Sequence, residues 1–301
     1  MARRKRGAPV TGWVLVDKST GVTSTAVTNK IRWLLGAQKA GHAGTLDPDA
    51  TGLLVVALGE ATKVLSHITD ALKAYDFTVT WGASTNTDDA SGTVLERRDS
   101  RPSAEQIRAV LPQFIGKIEQ VPPTFSAVHV AGKRAYDLAR QGATPDLASR
   151  PLFVETLELT NAGTDAADFH LVCGKGGYVR AISRDMGEKL ECLGHTLRLR
   201  RVWSGPFHIR DALVWHDDVT SDEVRDALKP LAFGLADLRE CQIDAVFEGR
   251  LKNGNKAPVQ RTDAGPGDVA WASIDGTPIA LGTYLSGDFQ PSRVFIEPRD
   301  G

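Results

Sequence analysis

Six consecutive apolar residues, Leu53 to Leu58, follow directly on a turn-rich segment, Gly41-His42-Ala43-Gly44-Thr45-Leu46-Asp47-Pro48-Asp49-Ala50-Thr51-Gly52. A run that is apolar at every position predicts a strand covered on both faces. A sheet covered on both faces needs further layers of structure. The 301 residues are enough for one large domain plus a small one, or for two medium ones. Hydrophobic residues make up 42% of the chain and charged residues 24%, so a sizeable core is expected rather than disorder.

The remaining pattern mixes helical and strand signals. Trp13 to Val16 reads as a short strand. Ser24 or Thr25 is placed to cap a helix in which Val27, Ile31, Leu34 and Leu35 share a face, with Gly36 at its end. Tyr75, Phe77, Val79 and Trp81 alternate with other residues, which predicts a strand with one apolar face. Ser103 and Gln106 form a capping box for a helix that Gly116 closes. Val179, Ile182, Met186 and Leu190 mark another helical face, and Thr220 with Glu223 forms a second capping box. After about Arg239, short β-like runs alternate with turns that include Asn253-Gly254 and Asp275-Gly276. A domain boundary is expected there.

No apolar run approaches the roughly 20 residues that span a bilayer. The N-terminus starts basic but no apolar stretch follows, so no signal peptide is expected. Cys173, Cys192 and Cys241 are odd in number and far apart, which fits neither a disulfide framework nor a metal knuckle and favours a reducing cytoplasm. The net charge of −1 is unlike that of a typical nucleic-acid binder. Local clusters at Arg3-Arg4-Lys5-Arg6 and at Arg198, Arg200 and Arg201 still allow a basic surface. On composition alone the first cluster reads as a solvated tail.

The segment from Gly41 to Gly52 concentrates glycines and ionisable groups. By itself it reads as a connecting loop in which Asp47 makes an Asx-turn ahead of Pro48. Asp47, Asp49, Thr51 and Gly52 also match the first half of a calcium loop. That pattern needs a bidentate Glu at its twelfth position, which is Leu58 here. No Walker A loop, His-Glu-x-x-His or Gly-x-Ser-x-Gly occurs, and Gly174-Lys175-Gly176-Gly177 lacks dinucleotide-loop spacing.

The stretch Gly41-His42-Ala43-Gly44-Thr45-Leu46-Asp47-Pro48 resembles the signature of the TruB family, the bacterial tRNA pseudouridine-55 synthases. The resemblance extends over most of the chain. Lys73-Ala74-Tyr75, with Gly82, Thr85, Thr87, Asp88 and Gly92, resembles the family's second block. Pro122-Pro123-Thr124-Phe125-Ser126-Ala127 and Gly132-Lys133-Arg134-Ala135-Tyr136 resemble its RNA-gripping insertion. Gly176-Gly177-Tyr178-Val179-Arg180 and Leu199-Arg200-Arg201 resemble its later blocks. Asp17-Lys18-Ser19-Thr20-Gly21 departs from the family at Ser19, where Pro is usual.

The resemblance implies an α/β pseudouridine synthase fold, a mixed sheet with flanking helices, over residues 1–238. It implies an RNA-gripping thumb at about 125–150 and a small β-rich, PUA-like RNA-binding domain over 239–301. The implied reaction turns uridine-55 in the TψC loop of tRNA into pseudouridine after the base is flipped out. The family's roles fall on Asp47 as the catalytic carboxylate, Arg180 as its ion-pair partner and Tyr75 as the aromatic on the target base. Tyr178 lies against the ribose, Leu199 walls the pocket, and His42 enters the vacated stack. Lys18, Arg134, Arg200 and Arg201 are expected phosphate contacts. The isomerisation involves no net redox change and no external energy source, so no cofactor and no metal are expected. The expected partner is the tRNA TψC stem-loop, with no membrane and no obligate protein partner, and the protein is expected to act as a monomer. The alternatives are a synthase for another RNA and a non-catalytic RNA-binding or tRNA chaperone protein. The intact set of Asp47, Tyr75 and Arg180 favours the enzyme.

Overall fold

The structure is a computed structural model that describes residues 7–126, 128–130, 133–141 and 145–296. Contacts divide the chain into two compact units. One comprises Met1–Asp47, Leu53–Thr69 and Gly205–Gly301, the other Pro48–Gly52 and Asp70–Ser204.

In the first unit the strand Gly12–Lys18 lies between Leu213–Val214 and the strand Thr51–Leu58, whose other neighbour here is Ala40–Ala43. Leu53 to Leu58 are all fully buried, as their unbroken apolarity predicts. Trp13 anchors this core. Its ring lies 5.1 Å from that of Phe207, and its indole N–H donates to Leu231 O at 3.0 Å, so the one polar atom of the side chain is satisfied.

The helix Ser24–Leu34 is capped by Thr23, one residue before the first of the two expected caps. Thr23 has extended backbone angles and its hydroxyl accepts from Ala26 N at 3.1 Å. Gly36, at φ +58°, ends the helix as expected. The capping box at Thr220 and Glu223 is formed in the helix Ser221–Asp226.

The same unit carries a six-stranded sheet built from Arg239–Gln242, Ala257–Pro258, Arg261–Thr262, Val269–Ile274, Thr277–Leu285 and Asp288–Val294. Asp275 and Gly276, both at positive φ, make its central hairpin turn, as expected. Asn253-Gly254 does not make a hairpin; it ends the short helix Glu248–Lys252, with Gly254 at φ +78°. Positive φ at Gly serves helix ends and hairpins alike, so the dipeptide alone does not choose between them. Phe289, Ile279 and Leu251 lie in this sheet's own core, while Leu281 and Phe295 join the Trp13 cluster.

The second unit is built on an antiparallel sheet, in the order Gly194–Ser204, Lys73–Trp81, Ala166–Cys173, Arg150–Ala162, Gly116–Gln120. Tyr75, Phe77, Val79 and Trp81 turn one face of their strand inward, against Phe169 and against Ile182 and Met186 of the helix Val179–Lys189. Ser103 and Gln106 form the expected capping box, but the helix is only Ala104–Val110. Pro112 carries the chain into a 3-10 turn, Leu111–Phe114, and Gly116 at φ +88° opens a strand instead of closing the helix. Thr51 and Gly52 pair in parallel with Arg200 and Arg201, which makes the sheet mixed. Gly52 stands at φ +98°, where a Cβ would come within 2.2 Å of Arg201 O. Only glycine permits that approach. The fold is therefore the expected mixed α/β one with a β-rich C-terminal part. Among the described residues no helix is long and apolar enough to cross a membrane.

Candidate active site

In the first unit, Asp47 follows a backbone turn that is held from outside. Ser24, the first residue of its helix, is buried and bonds Leu46 twice: its hydroxyl donates to Leu46 O at 3.0 Å and accepts from Leu46 N at 2.9 Å. Gly44, at φ +70°, lets the chain turn into this clamp. Asp47 itself is half-buried. His42 is also half-buried and pairs with Val56 in the sheet.

In the second unit, Tyr75 is buried and Leu199 is half-buried against the same core. The two strands run side by side, with Tyr75 opposite Arg201 and Phe77 opposite Leu199. Tyr178 caps the helix that carries Arg180, without a side-chain capping bond of its own. The buried Gln120 compensates: its Oε1 accepts from Tyr178 N at 2.9 Å and its Nε2 donates to Tyr178 O at 3.1 Å.

The Arg180 guanidinium is buried. Nη1 donates to Thr87 O at 2.8 Å, Nη2 donates to Phe125 O at 3.1 Å, and Asp89 Oδ2 lies 3.4 Å from Nη1. The other Asp89 oxygen organises its own loop, accepting from Thr87 Oγ1 at 2.6 Å and from Ser91 N and Oγ at 3.1 and 2.7 Å. Gln120 and Asp89 escape a reading of sequence alone, since a long-range clamp leaves no periodicity or spacing to detect.

Two of the expected phosphate contacts are enclosed by the fold. Lys18 is fully buried, and its Nζ donates to Ser19 O at 2.8 Å and Val22 O at 2.9 Å, closing the turn where the family has Pro. Arg201 is likewise buried, at 1% exposure. A phosphate contact needs a cation at the surface, and Arg200 is half-buried. The side chain of Arg134, like Arg3 to Arg6, lies outside the described residues.

Lys73, two residues before Tyr75, is buried, and sequence reasoning gave it no role. Burial lowers its ammonium from the ordinary 10.5 to about 8, and Arg201 pushes the same way. Between those values the unfolded chain holds more protons than the folded one, so stability rises with pH. Relative to Lys73→Met, the parent protein should gain roughly 3 kcal/mol of unfolding free energy from pH 8 to 10.5. Urea unfolding at both pH values checks this, and parallel behaviour of the two proteins would refute it.

Cys173, Cys192 and Cys241 are buried free thiols, and burial pushes Cys173 up to about 12, which leaves it inert as a nucleophile. Among the described residues no group of three or more His, Cys, Asp or Glu is placed to hold a metal ion.

The profile of the TruB family pseudouridylate synthase N-terminal domain matches residues 32–179. A protein of Paracoccus denitrificans (strain Pd 1222) named tRNA pseudouridine synthase B is 55% identical, over 97% of this chain and 98% of that one. A protein of the same name from Sinorhizobium medicae (strain WSM419) is 42% identical, over 97% and 98%. Among solved structures, a chain of a Cbf5-Nop10-Gar1 complex superposes with a TM-score of 0.75 at 25% identity, covering 96% of this chain and 86% of that chain. A chain of an H/ACA RNP bound to a substrate RNA containing 2′-deoxyuridine gives 0.74 at 22% identity, covering 100% and 92%. The two solved structures share the fold, and the near-complete alignments at 42% and 55% identity carry the kinship further: this chain belongs to the TruB family of pseudouridylate synthases.

Proposed function

We propose that the chain isomerises uridine-55 in the TψC loop of tRNA to pseudouridine, with Asp47 as the catalytic carboxylate. The observation that carries this reading is the near-complete similarity to proteins named tRNA pseudouridine synthase B. The clamped turn that presents Asp47 supports it. The chain is an enzyme of the isomerase class, and tRNA is its substrate. The C1′–N1 bond breaks, the base turns, C1′ bonds to C5, the C5 hydrogen leaves as a proton, and N1 takes up a proton. Asp47 serves as an anion at the sugar, either by attack on C1′ or by removal of the 2′ proton. Arg180 keeps it ionised and oriented.

Tyr75 stacks on the base, Tyr178 and Leu199 line the ribose and base, and His42 fills the stack that the flipped base leaves. Residues 1–238 form the catalytic domain and 239–301 an RNA-binding module. The protein works as a cytoplasmic monomer. Mapping pseudouridine in tRNA from cells with and without this protein tests the reading; an unchanged position 55 would refute it.

The grip on the loop is assigned to the thumb, at about residues 125–150. Changing Lys133 and Arg134 together to Ala should weaken stem-loop binding and flatten its salt dependence by about one unit of slope per lost phosphate contact. Titration at several salt concentrations checks this. Equal affinities and slopes would move the grip to Arg200. No metal takes part in the bond changes. A pre-folded stem-loop should therefore be turned over at the parent rate with EDTA present, and metal-restorable loss would revive a cation role for Asp47 and Asp49.

A further inference from the structure

The helix Val179–Lys189 carries a second arginine one turn after Arg180. Arg184 Nη1 meets Asp88 Oδ2 at 2.9 Å, Nη2 donates to Val121 O at 2.9 Å, and Nε donates to Asp185 Oδ1 at 2.9 Å. The Arg184 and Asp88 side chains are 20% and 13% exposed, so this is a covered pair rather than a surface one. The two arginines hold the same two stretches of chain. Arg180 takes Thr87, Asp89 and Phe125; Arg184 takes Asp88 and Val121. Consecutive carboxylates on the loop thus meet successive arginines on one helix face.

Asp88 stands at φ +60°, a conformation that side-chain-bearing residues seldom adopt. Its backbone is fixed there by Thr196, whose N donates to Asp88 O at 3.0 Å and whose O accepts from Ala90 N at 2.9 Å. Such a conformation persists only where its surroundings over-determine it, and such sites gather near function.

We propose that Arg184 and Asp88 are a positioning pair, which holds residues 86–93 and 121–126 against the helix and thereby sets the Arg180 guanidinium for the reaction. Neither residue touches the uridine; both act through Arg180. This rests on the isomerase reading above. Burial pushes the Asp88 carboxyl up from its ordinary value, with Arg184 and then Arg180 pulling it back, so the loop carboxylate depends on these cations to stay ionised.

The test is single turnover of a C5-tritiated TψC stem-loop by the parent, Arg184→Met, Arg184→Lys, Asp88→Asn and the double variant Asp88→Asn/Arg184→Met. Arg184→Met should slow the step by about a hundredfold while stem-loop Kd stays within about twofold. Asp88→Asn, which keeps the side-chain shape, should slow it comparably and covers the case in which Arg184→Met folds poorly. The double variant should be no slower than Arg184→Met alone, since both act through one contact. Arg184→Lys should recover only part of the rate, because one ammonium cannot reproduce the fork. Parent-like rates per folded molecule would overturn the pair, as would a loss of affinity in step with the loss of rate. An inactive parent would instead overturn the isomerase reading and the pair with it.

Discussion

Asp47→Asn should lower turnover of tRNA by about 10⁴-fold while leaving the fold and most of the RNA affinity in place. The amide has nearly the volume and shape of the carboxylate. The Ser24 clamp engages the backbone of Leu46, so that restraint on the turn survives the substitution. What is lost is the anion, and with it either attack on C1′ or removal of the 2′ proton. Tritium release from C5-labelled tRNA measures the rate, and filter binding measures the affinity. Turnover within about tenfold of the parent would remove Asp47 from the chemistry.

The second large effect is expected at Arg180. Arg180→Met should cost roughly a thousandfold in kcat, about 4 kcal/mol, with a smaller change in KM. Among the oxygens that the buried guanidinium meets are Thr87 O, Phe125 O and Asp89 Oδ2. Its removal strands all three and withdraws the cation assigned to Asp47, and a buried acceptor or carboxylate left without its partner is costly. Combined with Asp47→Asn, the variant should add little further loss, because residues acting as a unit are not additive. Additive losses would mean that Arg180 works apart from Asp47. Thermal unfolding of each variant separates a folding defect from a catalytic one.

How far such a site can be read from sequence depends on how local its determinants are. Leu53 to Leu58 announce a doubly covered strand because every residue is apolar, and that property needs no partner to be seen. The capping boxes at Ser103 and Thr220 are legible for the same reason: each is closed within four residues. Thr23 was missed because Ser24 is an equally good capping residue by type. Only the fold shows that the Ser24 hydroxyl is taken up by Leu46, 22 residues away. Lys18 and Arg201 look like surface cations until the packing encloses them. Asp88 was visible as part of a block, but neither Asp88 nor Asp89 showed its role, since the guanidinium each meets lies more than 90 residues away on the helix Val179–Lys189. The roles proposed for Asp47 and Arg180 come from family resemblance, since neither periodicity nor composition suggests them.

The double bond from Ser24 to Leu46 bears on the temperature response of the enzyme. A loop that had to order itself around each arriving substrate would add an unfavourable activation entropy to every turnover. Here Gly44 and Leu46 are already confined when the chain folds, and Pro48 has little φ freedom left to lose. The ordering is charged once to folding stability and not again to catalysis. The intercept of the rate's temperature plot, which carries the activation entropy, should then owe little to the ordering of Gly44 to Leu46.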